Sequence, residues 1–216
     1  MANLIFKGIY KTEDQLPKAN LPLNAVKFRE PVTVESSVSA SLIFVIPSTL
    51  LICLFLFASY LLHGELVIRL SSIVDTAFLR PMMPLLLIFT TIIPHELIHA
   101  IALGKGVNAE FFLAPRSLSA FIISVTPITK KRFIIMSFLP GFILGWLPLL
   151  VWAILPFNEL YSAHLLFFSV ISILGSCGDY MNIFNAIRQM PKGSYHQHSG
   201  FNSYWHIPES ETRPVA

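Results

Sequence analysis

Five consecutive residues, His95-Glu96-Leu97-Ile98-His99, carry the clearest chemistry in the chain. On a helix, positions i and i+4 share one face, so both imidazoles can address a single metal ion. Glu96 sits about 100° around the same turn, where its carboxylate could hold and deprotonate a water. Two imidazole ligands, a general base and an open coordination position are what a zinc hydrolase needs. With seven His and nine Glu in 216 residues, the pattern arises by accident in roughly one such sequence per hundred. The bland alternative is a core His pair with a snorkelling Glu. Membrane depth argues against it, because a charged group there costs at least about 2.5 kcal/mol.

Zinc needs a third protein ligand. Asp179, in Ser176-Cys177-Gly178-Asp179-Tyr180-Met181-Asn182, is the other acidic residue inside an apolar run. Counting helical rise from Lys105 to His95 and from Arg188 to Asp179 puts both about 14 Å from one boundary. Two separate runs thus place their ionisable groups at one level, and a nearby dication would offset the cost of a buried Asp. His164 lies at the far end of its run. Cys177 points to another face and reads as a small core residue, as does Cys53. His196, His198 and His206 read as a solvated polar tail. Pro94 would free the carbonyl of Thr90 and open the helix beside His95. Gly175 and Gly178 would let helices approach near Asp179, and Gly141 with Gly145 forms a GxxxG packing motif. Asn182, one turn beyond Asp179, is a candidate outer-shell donor or oxyanion holder, and Asn185 reads as an interfacial polar residue.

The elements that must position these residues are apolar. Hydrophobic residues make up 54% of the chain and charged residues 12%, against about 25% charged in soluble domains. That composition excludes a disordered chain, and two cysteines exclude a disulfide framework. The net charge of +3 forms no basic stripe, so no nucleic-acid partner is expected. Four runs read as spans, about 39–62, 81–104, 133–156 and 160–187, each long enough for a hydrocarbon core of about 30 Å. Nothing at the start resembles a cleavable signal, so the first span reads as a retained helix. Thirteen Lys and Arg fall on one side and two, Arg69 and Arg80, on the other, so both termini and the middle loop should face the cytosol of a multi-pass cell-membrane protein. Short runs rich in Phe, Ile and Val around Pro115-Arg-Ser-Leu suggest a β-hairpin within 110–126, with an interfacial helix or lipid-surface loop as the alternative. The expected fold is therefore an all-α polytopic membrane protein with four transmembrane helices and that hairpin between helices 2 and 3. Its expected segments are a cytosolic N-terminal stretch at 1–38, a transmembrane metalloprotease-like domain at 39–187 and a cytosolic tail at 188–216.

HELIH within one apolar helix, followed about eighty residues later by Gly178-Asp179-x-x-Asn182 in another, resembles the bacterial family called putative zincin peptidases. More distantly it is similar to the site-2 protease intramembrane metalloproteases. The likeness covers roughly 81–208, including Met190-Pro191-Lys192-Gly193. It implies His95, His99 and Asp179 as ligands of Zn2+ and Glu96 as catalytic base. In site-2 proteases the Asn precedes the Asp and the Gly follows it; here the order is reversed, which leaves Asn182 without an assured role. Those proteases often present a β-strand to substrate near the site, a part the 110–126 segment could play. The expected activity is zinc-dependent intramembrane or membrane-interface endopeptidase action on a membrane-protein or membrane-proximal peptide, with lipid as the other partner. A non-catalytic structural or binding metal site and a metal transporter are the alternatives.

Overall fold

The computed structural model describes residues 1–30, 34–64, 91–117, 119–156 and 162–208. They divide into two compact units, the first formed by Met1–Ser41, Glu96–Leu139 and Gly178–Ala216, the second by Leu42–His95 and Pro140–Cys177.

The first unit is built on two sheets. Strand β1 (Asn3–Ile9) pairs in parallel with β3 (Asn108–Ala114), which pairs antiparallel with β4 (Ser119–Ile123). The β3–β4 pair is the hairpin expected from the Phe- and Ile-rich runs, registered Glu110 against Ile123. Lys7 and Glu110 meet at 3.1 Å across β1 and β3. The second sheet has the order β2 (Val26–Lys27), β7 (Asn202–His206), β6 (Tyr195–Ser199), β5 (Ile128–Thr129), all antiparallel. Strand β5 runs directly into helix α4 (Lys130–Gly141). Phe28, Leu103, Val107, Phe133, Ala186 and Met190 close a core between these elements. A smaller cluster of Leu16, Phe112 and Ile123 gathers Tyr10, Phe121 and Phe201 around it.

The second unit is helical. After α1 (Val34–Ser41), which belongs to the first unit, it holds α2 (Val45–His63), a π-turn at Phe142–Trp146, α5 (Leu147–Ile154) and α6 (Ser162–Gly175). Trp152, Leu149, Leu166, Ile173 and Ile52 form its core. Helix α2 carries Ile46, Leu50, Leu54, Phe57 and Leu61 exposed along one stripe, a surface suited to lipid rather than to water. The π-turn brings Gly145 against α6, where an added Cβ would stand 2.6 Å from Ile173 Cγ1 and 3.0 Å from its backbone nitrogen. By contrast, a Cβ on Gly175 or Gly178 would meet nothing within 4 Å among the described residues.

The all-α expectation is overturned: seven strands in two sheets make the described fold mixed α/β. The hydropathy reading weighted long apolar runs, whereas β1, β2, β6 and β7 are short, lie outside those runs and form sheets with distant parts of the chain. The four-span expectation is reduced as well. Two described helices, Ser39–His63 and Lys130–Ile154, are long and apolar enough to cross a membrane. The pair His164–Gly175 and Cys177–Gln189 makes a third if it is one span bent by 42°. Of the expected second span, 81–90 lie outside the described residues, as do Arg69, Asp75, Arg80 and Thr90. Its described part is α3 (Ile93–Leu103), 11 residues long. Pro94 is the second residue of that α-helix and follows directly on a π-helical turn at 91–92. Cys53 is exposed on α2 rather than buried, while Cys177 is buried.

The tail histidines are also corrected. His196, 2% exposed, stacks face to face on Phe133 with ring centroids 3.7 Å apart and meets Phe28 edge-on. Its partner His198 packs edge-on at 4.6 Å. Burial pushes His196 well below its ordinary value, with the neighbouring His198 adding to the effect. Burial also lowers His198 from 6.5 to about 4. Between those two values the unfolded chain binds more protons than the folded one, so stability is full above pH 6.5 and declines as pH falls. Each ring should contribute a loss of up to about 1.4 kcal/mol per pH unit in that window. Melting curves at pH 7 and pH 5 check this, and His196→Phe, which keeps the stack, should flatten the profile.

Candidate metal centre

The two helices that carry the site are shaped by local sequence. Helix α3 ends at Gly104, whose φ of 75° is left-handed, and an added Cβ there would collide with the Arg132 guanidinium. Arg132 Nε donates to the Ala102 carbonyl at 3.2 Å and the Ala2 N–H donates to the Ala100 carbonyl at 2.8 Å. These bonds satisfy the carbonyls that a helix end leaves open, and the cation complements the helix dipole. Helix α7 (Cys177–Gln189) begins after a break at Ser176, whose hydroxyl bonds back to the Ser172 carbonyl at 2.8 Å. Such back-bonding bends helices. The bend starts a new helix with Asp179 in its first turn, where the positive end of the dipole favours a carboxylate.

His95, His99 and Asp179 each offer a ligand atom, and these atoms all lie within 4.8 Å of one another. The boundary between the two units falls within α3, just after His95, so one continuous helix carries both imidazoles. His99 is 8% exposed and Asp179 7%, and His95 is half-buried. His99 Nε2 stands 3.3 Å from Asp179 Oδ1. Two ligands about 2.0–2.1 Å from one tetrahedral ion are themselves about 3.3 Å apart. The opposite ring nitrogen, His99 Nδ1, engages the Met136 carbonyl at 3.0 Å. That arrangement, a second-nitrogen bond to a carbonyl, is how metal-bound histidines are usually oriented. Donor types, spacing and burial therefore fit a zinc ion.

Glu96 is 6% exposed and its charge reaches His99. Asn182 is half-buried one turn beyond Asp179 and makes no hydrogen bond among the described residues. Asn185 is buried and accepts from Gln189 Nε2 at 3.1 Å. Cys177 and the three tail histidines are not in the cluster, and among the described residues no other group of three His, Cys, Asp or Glu converges in this way. Sequence reasoning missed the Met136 carbonyl, which as a backbone group has no residue-type signal of its own.

Neither the curated proteins nor the solved structures give a match to this chain. A family model described as "Putative zincin peptidase" matches residues 88–195, which contain every residue of the cluster. That match supports a zinc-dependent peptidase, and the apolar helices support association with a membrane. On half its length, through the segment that holds both helices of the metal centre, the chain belongs to the "Putative zincin peptidase" family.

Proposed function

We propose that the chain is a zinc endopeptidase of the HExxH type that hydrolyses peptide bonds of membrane-associated proteins within the bilayer or at its surface. The observation that carries this reading is the convergence of His95, His99 and Asp179 ligand atoms within 4.8 Å, beside a buried Glu96. His95, His99 and Asp179 would hold a zinc ion, which when bound would acidify a water and polarise a substrate carbonyl. Glu96 takes the proton of the attacking water and returns it to the departing amine. Met136 holds His99 in one tautomer so that Nε2 faces the site. Asn182 is positioned by sequence to donate to a developing oxyanion. Burial of Glu96, His99 and Asp179 strengthens each of these interactions by excluding water.

The test is cleavage of a model transmembrane substrate by the purified protein. A zinc chelator should abolish cleavage and added zinc should restore it; cleavage that survives chelation would exclude the metal mechanism. Zinc held tightly by a chain that cleaves no substrate would favour a structural metal instead. For topology we propose both termini in the cytosol, on the thirteen-to-two Lys and Arg distribution. Reporters fused at residue 70 and at the C-terminus should then report opposite sides, and the same side for both would refute it.

A further inference from the structure

Away from the metal centre, a cavity of about 400 Å³ in the first unit is lined by Lys27, Arg29, Arg188, Asn185, Gln189 and Trp205, with Val26 at its rim. All three cations are exposed, and none makes an ion pair among the described residues. Glu30, whose carboxylate Lys27 reaches electrostatically, is turned to the Ser203 N–H, which donates to it at 2.8 Å. Among the described residues the cavity wall therefore presents three positive charges, two side-chain amides and an indole, and no carboxylate. The amide of Gln189 braces this wall by bonding both the N–H and the carbonyl of Arg29. Large apolar side chains adjoin the lining residues along the chain: Phe184 and Ile187 on α7, and Leu23 and Val26 before and within β2, are all exposed. Arg188 lies 5.0 Å over the Phe184 ring, which joins the charged and apolar parts of the surface.

We propose that this cavity binds the phosphate headgroup of an anionic phospholipid, with the acyl chains lying on the apolar rim. Cations alone would suit any phosphate; the exposed Phe184, Ile187, Leu23 and Val26 favour one that carries hydrocarbon. The full-length protein in neutral detergent is melted with increasing dihexanoyl phosphatidylglycerol, and separately with inorganic phosphate. The lipid should raise the melting temperature, and Lys27→Gln/Arg29→Gln/Arg188→Gln should weaken its apparent affinity about a hundredfold. Because these side chains are exposed, the variant should melt like wild type without lipid; Arg188→Gln alone, about fivefold weaker, serves if it does not. Unchanged lipid affinity in the variants overturns the proposal. Inorganic phosphate that stabilises at the same concentration as the lipid overturns the lipid assignment in favour of free phosphate.

A second inference concerns how His99 is held, and it rests on the metal reading above. In an α-helix the carbonyl of residue 136 accepts from the N–H of residue 140. Residue 140 is a proline within α4, so it has no N–H, and its ring pushes that carbonyl outward. The Met136 carbonyl so released is the one His99 Nδ1 meets at 3.0 Å. The geometry points to Pro140 as a positioning residue that frees the acceptor fixing the His99 tautomer. Pro140→Ala and Pro140→Leu restore the competing N–H. Zinc affinity should then fall about 10–100-fold, while metal-free Pro140→Ala, whose smaller side chain enters the buried site without a clash, melts near the wild-type temperature because the restored helix hydrogen bond offsets the lost packing. A structural role for Pro140 would instead lower both together. Wild-type zinc affinity in the folded variants overturns the inference alone; a wild-type chain that binds no zinc overturns the metal reading beneath it.

Discussion

Replacing Glu96 by Gln should lower cleavage of a validated substrate by about 10²–10⁴ while leaving the zinc in place. The substitution keeps the volume and hydrogen-bonding reach of the side chain and removes only its basicity. Glu96 is not one of the three groups whose ligand atoms converge, so metal content should not depend on it. It is also buried at 6% exposure, and a neutral amide there costs less to bury than a carboxylate, so the variant should fold at least as well. Single-turnover cleavage and metal analysis on the same preparation separate the two effects. Wild-type cleavage by Glu96→Gln would exclude its role as base. Lost cleavage together with lost zinc would make it a ligand.

Asp179→Asn should have the opposite profile. A neutral amide replaces an anionic ligand at a site where burial magnifies the difference. Outer-shell changes at metal sites cost about 10–100-fold in affinity, and loss of an anionic ligand should exceed about a hundredfold. Folding is checked by melting the metal-free variant, because an Asn in the first turn of α7 gives up about 0.3–1 kcal/mol of helix-dipole stabilisation and weakens the 3.3 Å contact with His99. Dialysis against a chelator of intermediate strength, followed by metal analysis, should leave wild type loaded and Asp179→Asn stripped. Retention of zinc by the variant would remove Asp179 from the ligand set.

The candidate site was more legible in the sequence than the fold. The spacing of His95 and His99 encodes their shared face directly, since one short helix suffices to bring them together. Asp179 was reached by depth, and the three side chains named from sequence are the three whose ligand atoms converge; that they hold metal is the proposal. The depth argument, however, assumed an uninterrupted helix, whereas α7 begins only at Cys177, after a bend that hydropathy does not register.

The sheets were largely invisible for a different reason. The β3–β4 hairpin joins runs only a few residues apart, and its Phe and Ile content with a Pro turn marked it. Strand β1 pairs with β3 across about a hundred residues of chain, Asn3 against Asn108, and β2 is two residues long. No local periodicity announces such partners. The same non-local pairing takes His196 out of what looked like a polar tail and lays it on Phe133. Composition weighed that segment by its own polarity, whereas its burial is set by the helix it packs against.

X-ray absorption at the zinc edge of the purified wild-type protein tests the central claim most directly, because it reads the atoms around the ion without reference to activity. The account expects two imidazole nitrogens and oxygen at about 2.0–2.2 Å and no sulfur. A sulfur shell at about 2.3 Å, which would bring in a cysteine, or a zinc environment without two imidazoles would contradict it.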